Sequence, residues 1–175
     1  MTADRSVVPA LRPYLPSDAA RCAAIFRASV EALTGDDYDD DQRRAWAAAA
    51  DDAAVFGARL AKTLTLIATI SGEAVGFGSL KGADIVDMLY VDPEFARRGV
   101  GAFLIDALAR LATGRGAKQL TSDVSDTARS VFEKQGFVAQ RRNLVERDGE
   151  WLANTTMVKA LAAAESPRSP PSKLH

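Results

Sequence analysis

The most informative stretch of the chain is residues 84–102, which run DIVDMLYVDPEFARRGVGA. Its first part, Asp84–Val91, is rich in apolar residues and predicts a strand. Pro93 ends that strand, because proline has no N–H to donate to a strand ladder. From Val100 to Gly114 apolar residues recur at intervals of three and four, which predicts the best-defined helix of the chain.

The junction between this strand and this helix predicts a phosphate site. The first backbone N–H groups of a helix have no partner within the helix and bind anions when the backbone can be approached closely. Gly99 and Gly101 permit that approach, and Arg97 and Arg98 add positive charge. A dinucleotide-binding loop is disfavoured, because its third small residue would stand where Leu104 is found.

The flanking sequence predicts alternating helices and strands, and therefore an α/β fold. Two-residue turns at Ser71-Gly72 and Asp148-Gly149 predict hairpins on either side of the junction. The other predicted strands are Val8–Tyr14, Thr63–Ile70, Ala74–Lys81, Lys118–Val124, Phe137–Arg147 and Trp151–Lys159, and the other predicted helices are Ala19–Ala32, Gln42–Ala50 and Asp126–Gln135.

Composition excludes several kinds of chemistry. The 175 residues fit one domain, and a net charge of −1 gives no general attraction for nucleic acid or membranes. His175 is the only histidine and ends the chain, while Cys22 stands among apolar helix positions, which disfavours metal sites and histidine-assisted nucleophiles. Because no signal peptide or apolar run of membrane length occurs, we expect a cytoplasmic protein.

The chain resembles the GNAT acetyltransferases from about Leu11 to Lys159. Residues 89–102 are similar to that family's strand-to-helix signature, [QR]-x-x-G-x-[GA], with Ala96 in place of the first polar residue. Residues 125–137 are similar to the second signature, N-x-x-A-x-x-x-Y-x-x-x-G-F, with Ser125 and Phe132 in place of asparagine and tyrosine.

The resemblance implies a mixed, mostly antiparallel sheet of six or seven strands with flanking helices and one splayed parallel pair. That domain would span residues 1–160, followed by a loose tail, residues 161–175. The family binds acetyl-CoA as cosubstrate, without a metal. The residues implied for cofactor binding are Leu89, Tyr90, Val91, Arg97, Arg98, Gly99, Val100, Gly101, Ala102, Ser125 and Phe132.

The same resemblance implies direct transfer of the acetyl group to a primary amine of a small molecule or peptide. Asp87 is the candidate base, since a carboxylate in a strand covered on both faces would have a raised pKa; the alternative is a strand-end or partly exposed aspartate. With phenylalanine in the usual tyrosine position, Tyr90 is the candidate acid, although packing would equally explain it. The alternative function is a non-catalytic acyl-CoA-binding or sensing module.

The acceptor would lie against the N-terminal half of the chain. Tyr38, Trp46 and Phe56 are the candidate substrate contacts, with core packing as the alternative. The five aspartates of residues 36–41 indicate either a solvated helix start or an acidic rim for a cationic amine. A homodimer is compatible with the family, and the sequence does not identify the acceptor.

Overall fold

The computed structural model describes residues 8–162, which form a seven-stranded sheet flanked by five α-helices. In chain order the elements are β1 (Ala10–Pro13), α1 (Ala19–Leu33), α2 (Asp40–Ala47), α3 (Ala53–Ala61), β2 (Leu64–Ile70), β3 (Glu73–Lys81), β4 (Ile85–Val91), α4 (Val100–Gly114), β5 (Gln119–Ser125), α5 (Arg129–Lys134), β6 (Val138–Arg147) and β7 (Glu150–Ala160). The strand order is β1-β2-β3-β4-β5-β7-β6, and only β4 and β5 are parallel.

The predicted fold class is confirmed, as are the predicted strands and helices within a few residues at their ends. Both predicted hairpins form: Ile70 pairs with Glu73 across the first, and Arg147 pairs with Glu150 across the second. In the second turn, Asp148 and Gly149 both have positive φ, 50° and 82°, which is typical of the tight turn that suits the twist of a hairpin.

Helix α3 was not predicted from the sequence. Its start is fixed by the carboxylate of Asp52, which accepts hydrogen bonds from the N–H groups of Ala54 and Val55 at 3.0 and 3.2 Å. The close contact with α1 requires glycine at residue 57, because a Cβ there would lie 2.5 Å from the Cβ of Ala19. The helix therefore owes its place to close packing against the start of α1.

The sheet separates two apolar layers. One layer lies between the sheet and helices α1 and α3 and is built around Phe26, Phe56 and Phe77. The other lies between the sheet and helices α4 and α5, with Leu108 and Phe132 among its members. Residues of β4 contribute to both layers, so this strand connects the two halves of the core.

The parallel strands β4 and β5 separate soon after they meet. Ile85 and Thr121 are the one pair of facing residues between them within the described chain, and the Ser122 hydroxyl donates to the Val86 carbonyl at 3.0 Å. From Asp87 onward β4 pairs with β3 alone. The splay leaves a cleft between the carboxyl ends of β4 and β5, as the resemblance implied.

A β-bulge at Asp87 reorients the strand at the start of this cleft. Ser79 of β3 faces Met88 and Leu80 faces Val86, so Asp87 has no facing residue. As a result, Val86 packs under α4 while Met88 packs under α1 and α3, although residues two apart in a regular strand share a face.

The predicted domain end and tail fall largely outside the described residues, since residues 163–175 are not described. Among the helices of residues 8–162, none combines the length and apolar character needed to cross a membrane.

Candidate functional site

The N-terminus of α4 is open for an anion. Helices α2 and α3 are capped by Asp39 and Asp52, whose carboxylates accept hydrogen bonds from first-turn N–H groups. In helix α4 the capping position is occupied by Gly99, which supplies no side chain and has a φ of 81°. The first-turn N–H groups of α4, from Val100 to Ala102, therefore have no capping side chain among the described residues, and the helix dipole adds positive potential there.

Two exposed arginines precede this helix start. The Arg98 guanidinium lies over the Phe95 ring, 5.5 Å from its centroid, and Arg97 has a φ of 62°. Neither arginine forms an ion pair with any part of the chain between residues 8 and 162. Their charge therefore reinforces that of the helix terminus.

The two signature glycines have different surroundings. A Cβ on Gly99 would meet no atom within 4 Å, so its positive φ is what favours glycine there. A Cβ on Gly101 would lie 3.8 Å from Val131 and 3.9 Å from Val91, which is ordinary contact. An alanine would therefore fit at residue 101, in agreement with the [GA] of the family signature.

The loop that carries the arginines is anchored by an ion pair that the sequence did not reveal. Arg21 of α1 donates to the Asp92 carboxylate at 2.6 Å and to the Ala74 carbonyl at 3.0 Å. Asp92 is buried and also accepts from the Glu94 N–H at 3.0 Å. Asp92-Pro93 was visible as a turn, but its partner is 71 residues away along the chain and carried no local signal.

The backbone of Leu89–Val91 lies along one wall of the cleft, where β4 has no strand partner on the β5 side. The side chains alternate: Leu89 and Val91 pack toward α4, and Tyr90 packs toward α1. The side chains of these three predicted cofactor contacts therefore lie on both faces of the sheet. The backbone N–H groups of this segment that do not pair with β3 are directed to the cleft.

Tyr90 belongs to a cluster of aromatic rings at the cleft. Its ring centroid lies 4.5 Å from that of Phe26, and its hydroxyl accepts a hydrogen bond from Trp46 Nε1 at 3.3 Å. Burial raises the pKa of Tyr90 to about 12, and the charge of Asp87 acts in the same direction, while Arg59 and Arg147 oppose it. Tyr90 is consequently protonated throughout the neutral range.

Asp87 fits the alternative of a partly exposed aspartate and not burial on both sides. Its side chain is 21% exposed, and its two carboxylate oxygens lie 3.2 and 3.4 Å from Nη2 of Arg59 in α3. The bulge carries Asp87 out of the regular alternation, which is why the run of apolar neighbours misled the prediction of burial. Arg59 was missed because α3 itself was missed.

The two departures from the second signature have structural roles in this chain. The Ser125 hydroxyl accepts a hydrogen bond from the Ala128 N–H at 3.1 Å and so caps the turn before α5. Phe132 is 3% exposed and packs edge-on against Phe137, with ring centroids 5.0 Å apart. Neither position supplies the side-chain group that the family signature has there.

The three predicted substrate contacts are not equivalent. Phe56 is 2% exposed in the core, and therefore has no surface for a substrate. Tyr38 is also buried; its hydroxyl donates to the Ala153 carbonyl at 2.6 Å and accepts from the Asp126 N–H at 2.9 Å, and burial raises its pKa. Trp46 is partly exposed and contacts both Tyr38 and Tyr90, so it alone of the three faces the cleft.

Three of the five aspartates of residues 36–41 have partners within α2, and Asp37 accepts a hydrogen bond from the Thr127 hydroxyl at 2.7 Å. Asp39 caps α2, Asp40 pairs with Arg43, and Asp41 pairs with Arg44 at 2.8 Å. The interpretation as a solvated helix start therefore fits the structure better than an acidic rim, because the neighbouring arginines offset the charge.

Cys22 is fully buried, and burial raises the pKa of its thiol to about 12, so it has no role as a nucleophile. Within residues 8–162, no group of three or more histidine, cysteine, aspartate or glutamate side chains is placed to hold a metal ion.

Comparison with known proteins agrees with the geometry. The family model described as the acetyltransferase (GNAT) domain matches residues 34–161. The uncharacterized N-acetyltransferase YafP of Escherichia coli K12 is 35% identical over 147 residues, which are 84% of this chain and 93% of that protein.

Solved structures show the same fold. A crystal structure from Rhodopseudomonas palustris, described as "GCN5-Related N-acetyltransferase: Aminotransferase, Class-II", is 62% identical with a TM-score of 0.86, covering 88% of this chain and 96% of that one. The PaiA N-acetyltransferase of Thermoplasma acidophilum, solved with coenzyme A, has a TM-score of 0.71 at 16% identity and covers 87% and 99% of the two chains.

Proposed function

The chain belongs to the GNAT acetyltransferase family, and from that premise we propose that it transfers the acetyl group of acetyl-CoA to a primary amine by direct attack. The observation that carries the proposal is the uncapped N-terminus of α4 at the signature glycines, directly after the splayed strand β4. The acceptor amine would belong to a small molecule or a peptide.

The residues at the cleft fit a phosphate-bearing thioester. The pyrophosphate would be held by the N–H groups of Val100–Ala102 and by the dipole of α4. The charges of Arg97 and Arg98 would add to this attraction. The unpaired N–H groups near Leu89–Val91 would donate hydrogen bonds to the thioester oxygen, which gains negative charge when the carbonyl carbon is attacked. Acetyl-CoA supplies the activated acyl group, and the chain supplies orientation and charge stabilisation.

The amine must lose a proton before it attacks, and we assign Asp87 as the acceptor of that proton. Its carboxylate is partly open to solvent and lies where the cleft begins. The ammonium proton passes to Asp87 directly or through water, and the freed nitrogen lone pair forms the C–N bond while the C–S bond breaks with its electron pair passing to sulfur. The second nitrogen proton then passes to solvent.

Tyr90 is better suited to hydrogen bonding than to proton donation. A phenol with a pKa of about 12 gives its proton unfavourably to a thiolate, whose conjugate acid has a pKa near ~8.5. Because Trp46 donates to the Tyr90 oxygen, the phenolic proton remains free to hydrogen-bond in the cleft. We therefore assign Tyr90 a stabilising hydrogen bond, and solvent protonates the leaving thiolate.

The proposal is tested by the rate of thiol release from acetyl-CoA with an amine acceptor, in wild type and in Asp87→Asn. Loss of a general base lowers the rate at neutral pH by ~10²–10⁴-fold, while coenzyme A affinity stays within about twofold. The deficit shrinks as the pH approaches the pKa of the amine, since the acceptor then arrives deprotonated. Asp84→Asn is the matched control, an exposed aspartate three residues earlier, and is expected to retain the wild-type rate. Wild-type activity in Asp87→Asn at neutral pH would remove Asp87 from the mechanism.

A further inference from the structure

The ion pair between Asp87 and Arg59 bears on the identity of the acceptor. From this pair we infer that the acceptor is an α-amino acid, bound with its ammonium group on Asp87 and its carboxylate on Arg59. The inference rests on the proposed function, because it concerns the same cleft. A site that presents a negative and a positive group side by side is complementary to a ligand that carries an ammonium group and a carboxylate on the same carbon atom.

The geometry of the pair leaves hydrogen-bond donors and acceptors available for such a ligand. Only Nη2 of Arg59 contacts Asp87, at 3.2 and 3.4 Å, and the Arg59 side chain is 48% exposed. A guanidinium group has five N–H donors in a planar fork, so most of the Arg59 donors remain for a carboxylate. Asp87 is likewise 21% exposed and keeps acceptor capacity for an ammonium group.

The charges around the pair favour an acceptor with an anionic group. The guanidinium groups of Arg59 and Arg147 both lower the pKa of Tyr90 while the carboxylate of Asp87 raises it, so positive charge exceeds negative charge around this phenol. A polyamine would meet an excess of positive charge there. The more distant aspartates offer it little compensation, since Asp40 and Asp41 are paired with arginines of their own helix.

The location of the pair fits an acceptor as well. Arg59 lies on α3, on the face of the sheet covered by α1 and α3, whereas the phosphate site lies at the start of α4 on the other face. The acceptor and the cofactor would therefore approach β4 from opposite faces. Trp46 and Tyr90 offer aromatic surface for the amino acid side chain on the first of these faces.

Matched acceptors test the inference directly. Thiol release from acetyl-CoA is measured with the standard L-amino acids that carry a primary α-amine and no thiol and, where one exists, with the decarboxylated amine of each, such as phenylalanine with phenethylamine. Hydrogen bonds to charged groups predict that wild type prefers at least one amino acid over its amine by ~10- to 150-fold in kcat/KM. Calorimetric titration of the same pair into the coenzyme A complex is expected to show the same order of affinity.

Variants of Arg59 separate recognition from a structural role. Arg59→Met is expected to reduce the preference to within about threefold by lowering kcat/KM for the amino acid much more than for the amine, and Arg59→Lys to restore part of it. A merely structural role would lower the rates with both acceptors alike. Arg110→Met is the control, because Arg110 is 80% exposed and pairs with Asp106 on the solvent side of α4.

The outcomes distinguish the inference from the function. If amines are acetylated but no amino acid exceeds its decarboxylated counterpart, the amino acid assignment is wrong and the acetyltransferase assignment stands. If no acceptor in either set releases thiol although acetyl-CoA binds, both assignments fail. An unchanged preference in Arg59→Met also overturns the role given to Arg59.

Discussion

A single negative charge placed at the start of α4 would separate the anion-binding role of this helix from its structural role. Ala102 is the third residue of α4 and is partly exposed, so a longer side chain can be placed there. In Ala102→Glu the carboxylate would lie near the helix terminus, where the dipole stabilises negative charge by ~0.3–1 kcal/mol. The variant is therefore expected to unfold at the same temperature as wild type or slightly higher.

The same carboxylate would repel a bound pyrophosphate. Two unit charges about 6 Å apart interact by ~0.7 kcal/mol in water and ~2.8 kcal/mol at an effective dielectric constant of 20. Because this position is partly exposed, the lower part of that range applies, and about 1–2 kcal/mol corresponds to ~5- to 30-fold weaker binding of coenzyme A. Stability and affinity should thus change in opposite directions.

The assay is calorimetric titration of coenzyme A into wild type, Ala102→Glu and Ala102→Gln. The glutamine variant has nearly the same shape without the charge, so it isolates electrostatics from size. The affinity difference between the two variants should shrink in ~1 M salt, where the screening length falls to ~3 Å. If Ala102→Glu binds coenzyme A as tightly as Ala102→Gln at low salt, the phosphate is not held at this helix terminus.

Three further predictions concern single residues. Gly99→Ala should lower the free energy of unfolding by ~1–2 kcal/mol in urea titrations, because residue 99 has a φ of 81°. Gly114→Ala, in open space at the other end of α4, should be neutral or stabilising. Equal stability of the two variants would contradict this prediction. Cys22 should resist iodoacetamide at pH 8 in the folded protein and react in urea, since its thiol is buried with a pKa of about 12; rapid labelling of the native protein would exclude that environment. Because burial raises the pKa of Tyr90 from 10.0 to about 12, the unfolded chain loses the phenolic proton at a lower pH than the folded chain does. The free energy of unfolding should therefore fall between pH 10 and 12, and fall less steeply in Tyr90→Phe. Identical slopes of stability against pH in the two proteins would argue against the shift.

Local sequence patterns predicted the helices and turns whose formation depends mainly on neighbouring residues. The apolar periodicity of Val100–Gly114 and the turn at Asp148-Gly149 specify a helix and a hairpin without help from distant residues. The signature glycines indicate the proposed phosphate site for the same reason, since a helix start and a positive φ are local properties.

The features that the sequence did not reveal depend on long-range packing. Arg59 and Asp87 are 28 residues apart, and their pairing requires both an unpredicted helix and an unpredicted bulge. Tyr38 was interpreted as a substrate contact, yet its hydroxyl bridges to a carbonyl 115 residues away. Phe56 likewise carries no local mark that would distinguish a core position from a pocket wall.

The central claim is most directly tested by following acetyl transfer from acetyl-CoA with two readouts in one reaction. Free thiol is measured by a colorimetric reagent, and the N-acetylated acceptor is measured by mass spectrometry, with phenylalanine and phenethylamine among the acceptors. The account predicts that thiol and N-acetylated product appear in equal amounts and that both require an acceptor amine. Tight binding of acetyl-CoA with no thiol release above the uncatalysed background, whatever the amine, would contradict it and indicate a non-catalytic acyl-CoA-binding module.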